Sequence, residues 1–193
     1  ILIVLIAGHE TTANALSWSL YLLANDKPEL EKLTRATRNL SVTETVSNDA
    51  LASVIKESMR LYPPAWISDR VALQDDAYNN FTFPKGSIII LFYYGLHRDA
   101  KHWDNPDAFM PERFAKENED KRKPKAYYPF GGGPRLCIGN NFAMAEMAIF
   151  LQSMIEEFDI APTDQQPKSN PLITLRPDSI VLSIKKAPHT RDS

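Results

Sequence analysis

Within ten residues, Phe130-Gly131-Gly132-Gly133-Pro134-Arg135-Leu136-Cys137-Ile138-Gly139, the chain places four of its 7 glycines and its 1 cysteine, directly ahead of a segment with helical period. Such a loop hands a thiol to the start of a helix, and each element has a physical reason. Glycines let the backbone adopt positive φ and come close to a flat ligand, while Phe130 stands where it can shield the sulfur from water. A cysteine near a helix N-terminus, with Arg135 two residues before it, lies among N–H donors and positive charge. That setting favours thiolate, a good metal ligand, although a lone buried cysteine can also be an inert small hydrophobe. One cysteine forms no internal disulfide and no Cys₄ or Cys₂His₂ zinc site, so a reducing compartment is the default.

Around this loop the pattern is mostly helical. The opening run Ile1-Leu2-Ile3-Val4-Leu5-Ile6 is apolar on every side with no capping residue ahead of it, and reads as a chain starting inside a buried helix. No basic stretch precedes it and no A-x-A site follows, against a signal peptide. Helical character runs to Ala24, and Asn25-Asp26-Lys27-Pro28 stops it and starts a second helix carrying Leu30, Leu33 and Thr37. After a polar stretch, Asn39 to Asn48, a third helix spans about Asp49 to Leu61 with Leu51, Val54, Ile55 and Met59 on one face. From Ala65 to Leu96 the runs Val71–Leu73, Phe81–Phe83 and Ile88–Tyr93, broken by Asn79-Asn80 and Pro84-Lys85-Gly86, predict a small antiparallel sheet. His97 to Phe130 reads as a long loop with a purpose of its own, or as disorder. Met147, Leu151, Met154 and Phe158 continue a helix after Cys137, and Ile173–Leu175 with Ile180–Ile184 predict a closing hairpin. The fold class is mainly α with a small β part.

A second motif stands in the first helix. Ala7-Gly8-His9-Glu10-Thr11-Thr12 puts a glycine, which costs about 0.8–1 kcal/mol relative to alanine, and an acid into an otherwise apolar segment. Ala7 and Gly8 remove bulk, so that a flat cofactor and a diatomic ligand could approach the backbone. The Thr11 hydroxyl is expected to bond the Ala7 carbonyl four residues back and loosen the helix into a polar notch. The plainer alternative is that Glu10 and Thr11 satisfy one another or water.

Charge excludes one class of function. Lys plus Arg is 22 against 24 Asp plus Glu, a net −2, without the basic excess of a nucleic-acid binder. The apolar stretches Ile1–Ala7 and Ile88–Tyr94 fall short of the ~18 residues of a membrane span, so the chain reads as soluble. No Gly-Lys-Ser/Thr or G-x-G-x-x-G supports nucleotide binding. His97-Arg98-Asp99 lacks the asparagine five places on and the D-F-G of a kinase catalytic loop. His97 and His102 have no third metal ligand nearby in sequence.

The decamer matches F-x-x-G-x-R-x-C-x-G at every fixed position and so resembles the haem-binding signature of the cytochrome P450 superfamily. Five such positions coincide by chance about once in three million. Ala7–Thr12 is similar to that family's [A/G]-G-x-[D/E]-T-T. Lys56-Glu57-Ser58-Met59-Arg60 and Pro111-Glu112-Arg113-Phe114 resemble its E-x-x-R and P-E-R-F elements. The resemblance covers essentially the whole chain and implies the C-terminal half of the cytochrome P450 fold, with residues 1–193 as the C-terminal portion of the domain and its N-terminal portion absent.

What the resemblance implies is specific. The cofactor is haem b, with Cys137 its axial iron ligand, and Arg135 and Arg70 at its propionates. Covalent c-type attachment is excluded because C-x-x-C-H is absent. Ala7, Gly8, Phe130 and Gly139 belong to the cofactor's surroundings. Thr11 hydrogen-bonds dioxygen at the haem and Glu10 helps relay protons for O–O cleavage, assisted by the thiolate's electron donation. Glu57, Arg60 and Arg113 form a buried cluster anchoring the ligand loop. The implied function is a monooxygenase acting on a small organic, lipophilic substrate with dioxygen. Its electrons come from a ferredoxin, flavodoxin or reductase type of partner, which the basic run Lys121–Lys125 would face. Location is cytoplasmic, or membrane-associated where an N-terminal anchor exists. Two alternatives remain at this point: a haem-free truncated fragment without activity, and a haem-thiolate isomerase or sensor.

Overall fold

A computed structural model describes residues 2–121 and 126–187, with side chains described over 7–119 and 126–187. Helix α1 (Leu2–Asn25) leads directly into α2 (Lys27–Thr37). The break comes from Asp26, whose side chain accepts the Glu29 N–H at 3.1 Å, and from Pro28 in the first turn of α2. Helix α4 (Asp49–Leu61) begins at an Asn48 cap that accepts the Leu51 N–H at 3.0 Å. Its predicted apolar face is fully buried.

Between α2 and α4 the expected polar stretch holds a short helix, α3 (Val42–Val46). Its signal was local rather than periodic: Ser41 accepts the Glu44 N–H while Glu44 accepts the Ser41 N–H, a reciprocal cap. The β part comprises four two-stranded antiparallel sheets among the described residues, and Ala65–Leu96, expected to hold one sheet, holds two of them. Strand β1 (Ile67–Val71) pairs with β4 (Ile88–Phe92), and β2 (Asp76–Tyr78) pairs with β3 (Phe81–Phe83) through Asn79, whose φ of 53° suits a tight turn. Of the run Val71–Leu73 only Val71 is strand, and Tyr93 opens a short helix, α5 (Tyr93–Leu96).

Helix α6 (Asn140–Glu157) follows the cysteine loop and passes straight into β5 (Phe158–Pro162). The closing hairpin of Ile173–Leu175 with Ile180–Ile184 does not form. Instead β6 (Ser169–Pro171) pairs with β7 (Leu175–Pro177), and β8 (Leu182–Lys186) crosses back onto β5. Short apolar runs carry no record of their partners: β6 pairs with its neighbour across a turn, whereas β8 passes over both to reach β5.

The core lies where α1, α4 and α6 meet, around Leu23, Leu51, Ile55, Met147 and Leu151. A second, small cluster of Trp103, Phe114 and Ala126 packs with Tyr127 under the long segment after α5. That segment is ordered by polar lacing rather than by regular elements, with single 3₁₀ turns at Pro111–Phe114 and Lys116–Lys121. Among the described residues no helix is long and apolar enough to cross a membrane.

Candidate functional site

The cysteine loop takes its shape from glycine. Gly131 and Gly133 have φ of 71° and 63°, in the left-handed region where a side chain costs energy. The turn Gly133–Arg135 then brings the Cys137 N–H onto the Phe130 carbonyl at 3.0 Å, closing the loop on itself. Phe130 thus meets Cys137 through its main chain, while its ring packs against the main core. Gly139 caps α6, with its carbonyl accepting the Ala143 N–H at 2.9 Å, and an added Cβ there would lie 3.9 Å from the Cys137 sulfur. The thiol is free and exposed, as are its apolar neighbours Leu136, Ile138 and Phe142 and the side chain of Arg135.

Beneath this loop lies the charge cluster anticipated from Glu57, Arg60 and Arg113. Glu57 and Arg60 are both fully buried. Arg60 donates from Nε and Nη2 to the two Glu57 oxygens, each at 2.8 Å. Its remaining donors reach the carbonyls of His97 (2.8 Å), Pro106 (2.6 Å) and Ala108 (3.0 Å). All five guanidinium N–H groups are therefore satisfied, which is what a buried arginine requires. Glu57 Oε1 also accepts the Met110 N–H at 3.0 Å and Arg113 Nε at 3.3 Å. This pair holds the long segment against α4 and gives that segment its purpose.

His97 extends the lacing to the cysteine loop. Its Nε2 accepts the Tyr128 N–H at 2.8 Å, and Tyr127 donates its hydroxyl to the Lys56 carbonyl at 2.8 Å. The ring is buried and, with Arg60 nearby, its pKa is held down to about 4. His97, which had no third metal ligand nearby in sequence, thus orients the segment entering Phe130.

On α1, Thr11 donates to the Ala7 carbonyl at 2.7 Å as expected, but the helix stays continuous from Leu2 to Asn25, so no break accompanies the bond. Ala7, Gly8 and His9 are exposed, and a Cβ on Gly8 would meet nothing within 4 Å. Glu10 does not pair with Thr11. Its Oε1 accepts the hydroxyl of Thr174 at 2.6 Å, and Thr174 in turn accepts Asn14 Nδ2 at 3.1 Å. Neither Asn14 nor Thr174 was a candidate from sequence. Asn14 follows Glu10 by four residues and shares its helix face, a usable signal, whereas Thr174 sits in a turn with no pattern.

Arg70 lies exposed on β1, opposite Ile89, and its Nη1 donates to the Asp69 carbonyl at 2.6 Å. Residues 122–125 of the basic run fall outside the described residues, and the described residues hold no group of three or more metal-ligating side chains. Among the described residues a metal bound at Cys137 would have one protein donor, which suits a metal carried by a cofactor that brings ligands of its own. That donor set, with an open apolar loop and a glycine-bearing helix face, fits a planar macrocycle carrying its own nitrogens.

Comparison with known proteins agrees. A family model described as Cytochrome P450 matches residues 1–189. Rat cytochrome P450 4F6 (Rattus norvegicus) is 38% identical over 179 residues, 88% of this chain and 33% of that protein. Rabbit cytochrome P450 3A6 (Oryctolagus cuniculus) is 39% identical over 164 residues, 81% of this chain and 33% of that protein. The crystal structure of a cytochrome P450DA mutant heme domain superposes with a TM-score of 0.91 at 29% identity, covering 97% of this chain and 43% of the other. The chain spans about a third of the length of the curated relatives it matches. Agreement of motif, fold and relatives over nearly all of its residues leaves one assignment: the chain belongs to the cytochrome P450 family.

Proposed function

We propose that this chain is the haem-binding, C-terminal portion of a monooxygenase that inserts one atom of dioxygen into a small lipophilic organic substrate, with electrons delivered by a ferredoxin, flavodoxin or reductase type of partner. The observation that carries this reading is the exposed Cys137 thiol on a glycine-shaped loop that Arg60, Glu57 and His97 tie to the core.

Residues present divide the work. Cys137 would hold the cofactor's iron through its sulfur, and the Cys137 N–H to Phe130 carbonyl bond fixes the loop that carries it. Arg135 and Arg70, both exposed, would supply the cations for the cofactor's carboxylates. Ala7, Gly8 and Gly139 keep side-chain bulk away from its faces. Haem b, when bound through the thiolate, supplies the redox chemistry of oxygen activation. Thr11 gives its single hydroxyl hydrogen to Ala7, which leaves the oxygen's lone pairs to accept a bond. Glu10, half-buried at the same level of α1, holds or releases a proton as general acid–base chemistry requires. An acid and a hydroxyl on consecutive residues of α1, each with its own partner, favour oxygen activation over isomerisation or sensing.

The test uses the full-length protein. Its reduced carbon monoxide adduct should show a strongly red-shifted Soret band that Cys137→Ser abolishes. The same band in the serine variant, or no haem uptake by the parent, would remove the proposal.

A further inference from the structure

We infer that Thr174, on the turn between β6 and β7, is a positioning residue for proton delivery: its hydroxyl, oriented by Asn14, holds the Glu10 carboxylate in place. This rests on the reading of Glu10 as the proton-relay acid.

The direction of the chain is fixed by hydrogen counting. Thr174 has one hydroxyl hydrogen and two polar neighbours, Asn14 Nδ2 at 3.1 Å and Glu10 Oε1 at 2.6 Å. Amide nitrogen only donates, so Thr174 accepts from Asn14 and, while Glu10 is ionised, spends its own hydrogen on Glu10. Turning the Asn14 amide over would set its oxygen against the hydroxyl and leave one hydrogen for two acceptors, so with Glu10 ionised only the observed orientation satisfies all three groups. Asn14 and Thr174 are both buried, where an unmade bond is costly, and this locks the polarity.

The turn that carries Thr174 is itself fastened. Leu175 N–H donates to the Pro64 carbonyl at 2.9 Å, and Trp66 Nε1 donates to the Leu172 carbonyl at 2.9 Å. Thr174 is therefore a rigid donor presented to α1 from across the fold. It holds the Glu10 carboxylate away from Thr11, whose hydroxyl bonds Ala7 instead. A carboxylate tied at one oxygen keeps the other for a proton-bearing partner, and a hydrogen bond to a charged group is the strong kind that can hold such a geometry.

The experiment uses the full-length haem-loaded enzyme with its electron donor, reading product formed per electron consumed. Thr174→Val removes the hydroxyl at constant shape and should lower this coupling roughly tenfold, as loss of one bond to a charged acceptor implies. Thr174→Ser should restore it. In a Glu10→Gln background Thr174→Val should cause no further loss, because the two residues act as one unit. An equal loss in both backgrounds, or none in either, overturns the inference. If Glu10→Gln itself leaves coupling intact, the relay reading fails and takes this inference with it; if Glu10→Gln is costly and Thr174→Val silent, only the inference fails. A crystal structure of the Thr174→Val enzyme gives a readout apart from turnover: the Glu10 carboxylate should leave the turn, and an unmoved carboxylate overturns the role. Should Thr174→Val take up no haem, Asn14→Leu replaces it, with a smaller loss of coupling expected and unchanged coupling refuting the role.

Discussion

His97 Nε2 accepts the backbone N–H of Tyr128 at 2.8 Å, while the His97 carbonyl accepts Arg60 Nη1 at the same distance. One residue therefore bridges the buried ion pair and the chain entering the cysteine loop. Burial first, and the Arg60 guanidinium second, hold its pKa down from 6.5 to about 4, so the native ring is neutral. Protonation would set an N–H against the Tyr128 N–H. Between these two values the unfolded chain binds a proton that the folded chain refuses. Stability is complete above 6.5 and falls as the pH drops towards about 4, by about 3 kcal/mol in all. Urea unfolding of the intact protein across this window should show the loss, and His97→Gln should flatten it. Equal slopes in parent and variant would refute the assignment.

Glu57→Ala should be among the most damaging single substitutions in the chain. It strands Arg60, fully buried, with two of its five donors unpaired and releases Arg113 and the Met110 N–H as well. Removing one member of a buried charge cluster costs roughly 3–5 kcal/mol. We predict protein without stably bound haem, measured as haem content after gel filtration; full retention would count against the anchoring role.

Gly133→Ala tests backbone strain by itself. An added Cβ there meets nothing within 4 Å, so only the φ of 63° is at issue. We expect a loss of about 1–2 kcal/mol, with Asn tolerated better than Ala at this position. Unchanged denaturation midpoints for the alanine variant would show that the loop relaxes.

Thr11→Ala should separate chemistry from stability. The hydroxyl bonds only carbonyls of its own helix, so the variant should lie within about 0.5 kcal/mol of the parent. Product formation should nonetheless fall on the order of 10²-fold, with electrons diverted to peroxide. A variant that couples electrons to product as well as the parent does would end the proposed role of this residue.

The sequence was most legible where chemistry is local. Caps at Asp26 and Asn48 set helix boundaries, and the apolar face of Leu51, Val54, Ile55 and Met59 named its own core positions. The motif around Cys137 marked a loop that the glycines shape, and Thr11 found the Ala7 carbonyl that a spacing of four predicts. Relationships over long separations were not legible. Spacing alone marks Glu57 and Arg60 as an i, i+3 pair, and the resemblance implied that they are buried with Arg113, but the carbonyls of His97, Pro106 and Ala108 that meet Arg60 were not legible. Strand β8 gave no hint that it crosses to β5, and Glu10 gave none that its partner lies 164 residues away. Periodicity reports which side of an element is buried, not what it is buried against.

The fastening of the β6–β7 turn to Pro64 and Trp66 engages the main chain of Leu172 and Leu175, not their side chains. Ile173, at the tip, is 96% exposed, whereas Thr174 beside it is 8% exposed. Adjacent positions are thus under unrelated demands. Among the described residues nothing packs on the apex side chain, so exchanging it leaves the neighbouring oxygen where the main-chain bonds put it.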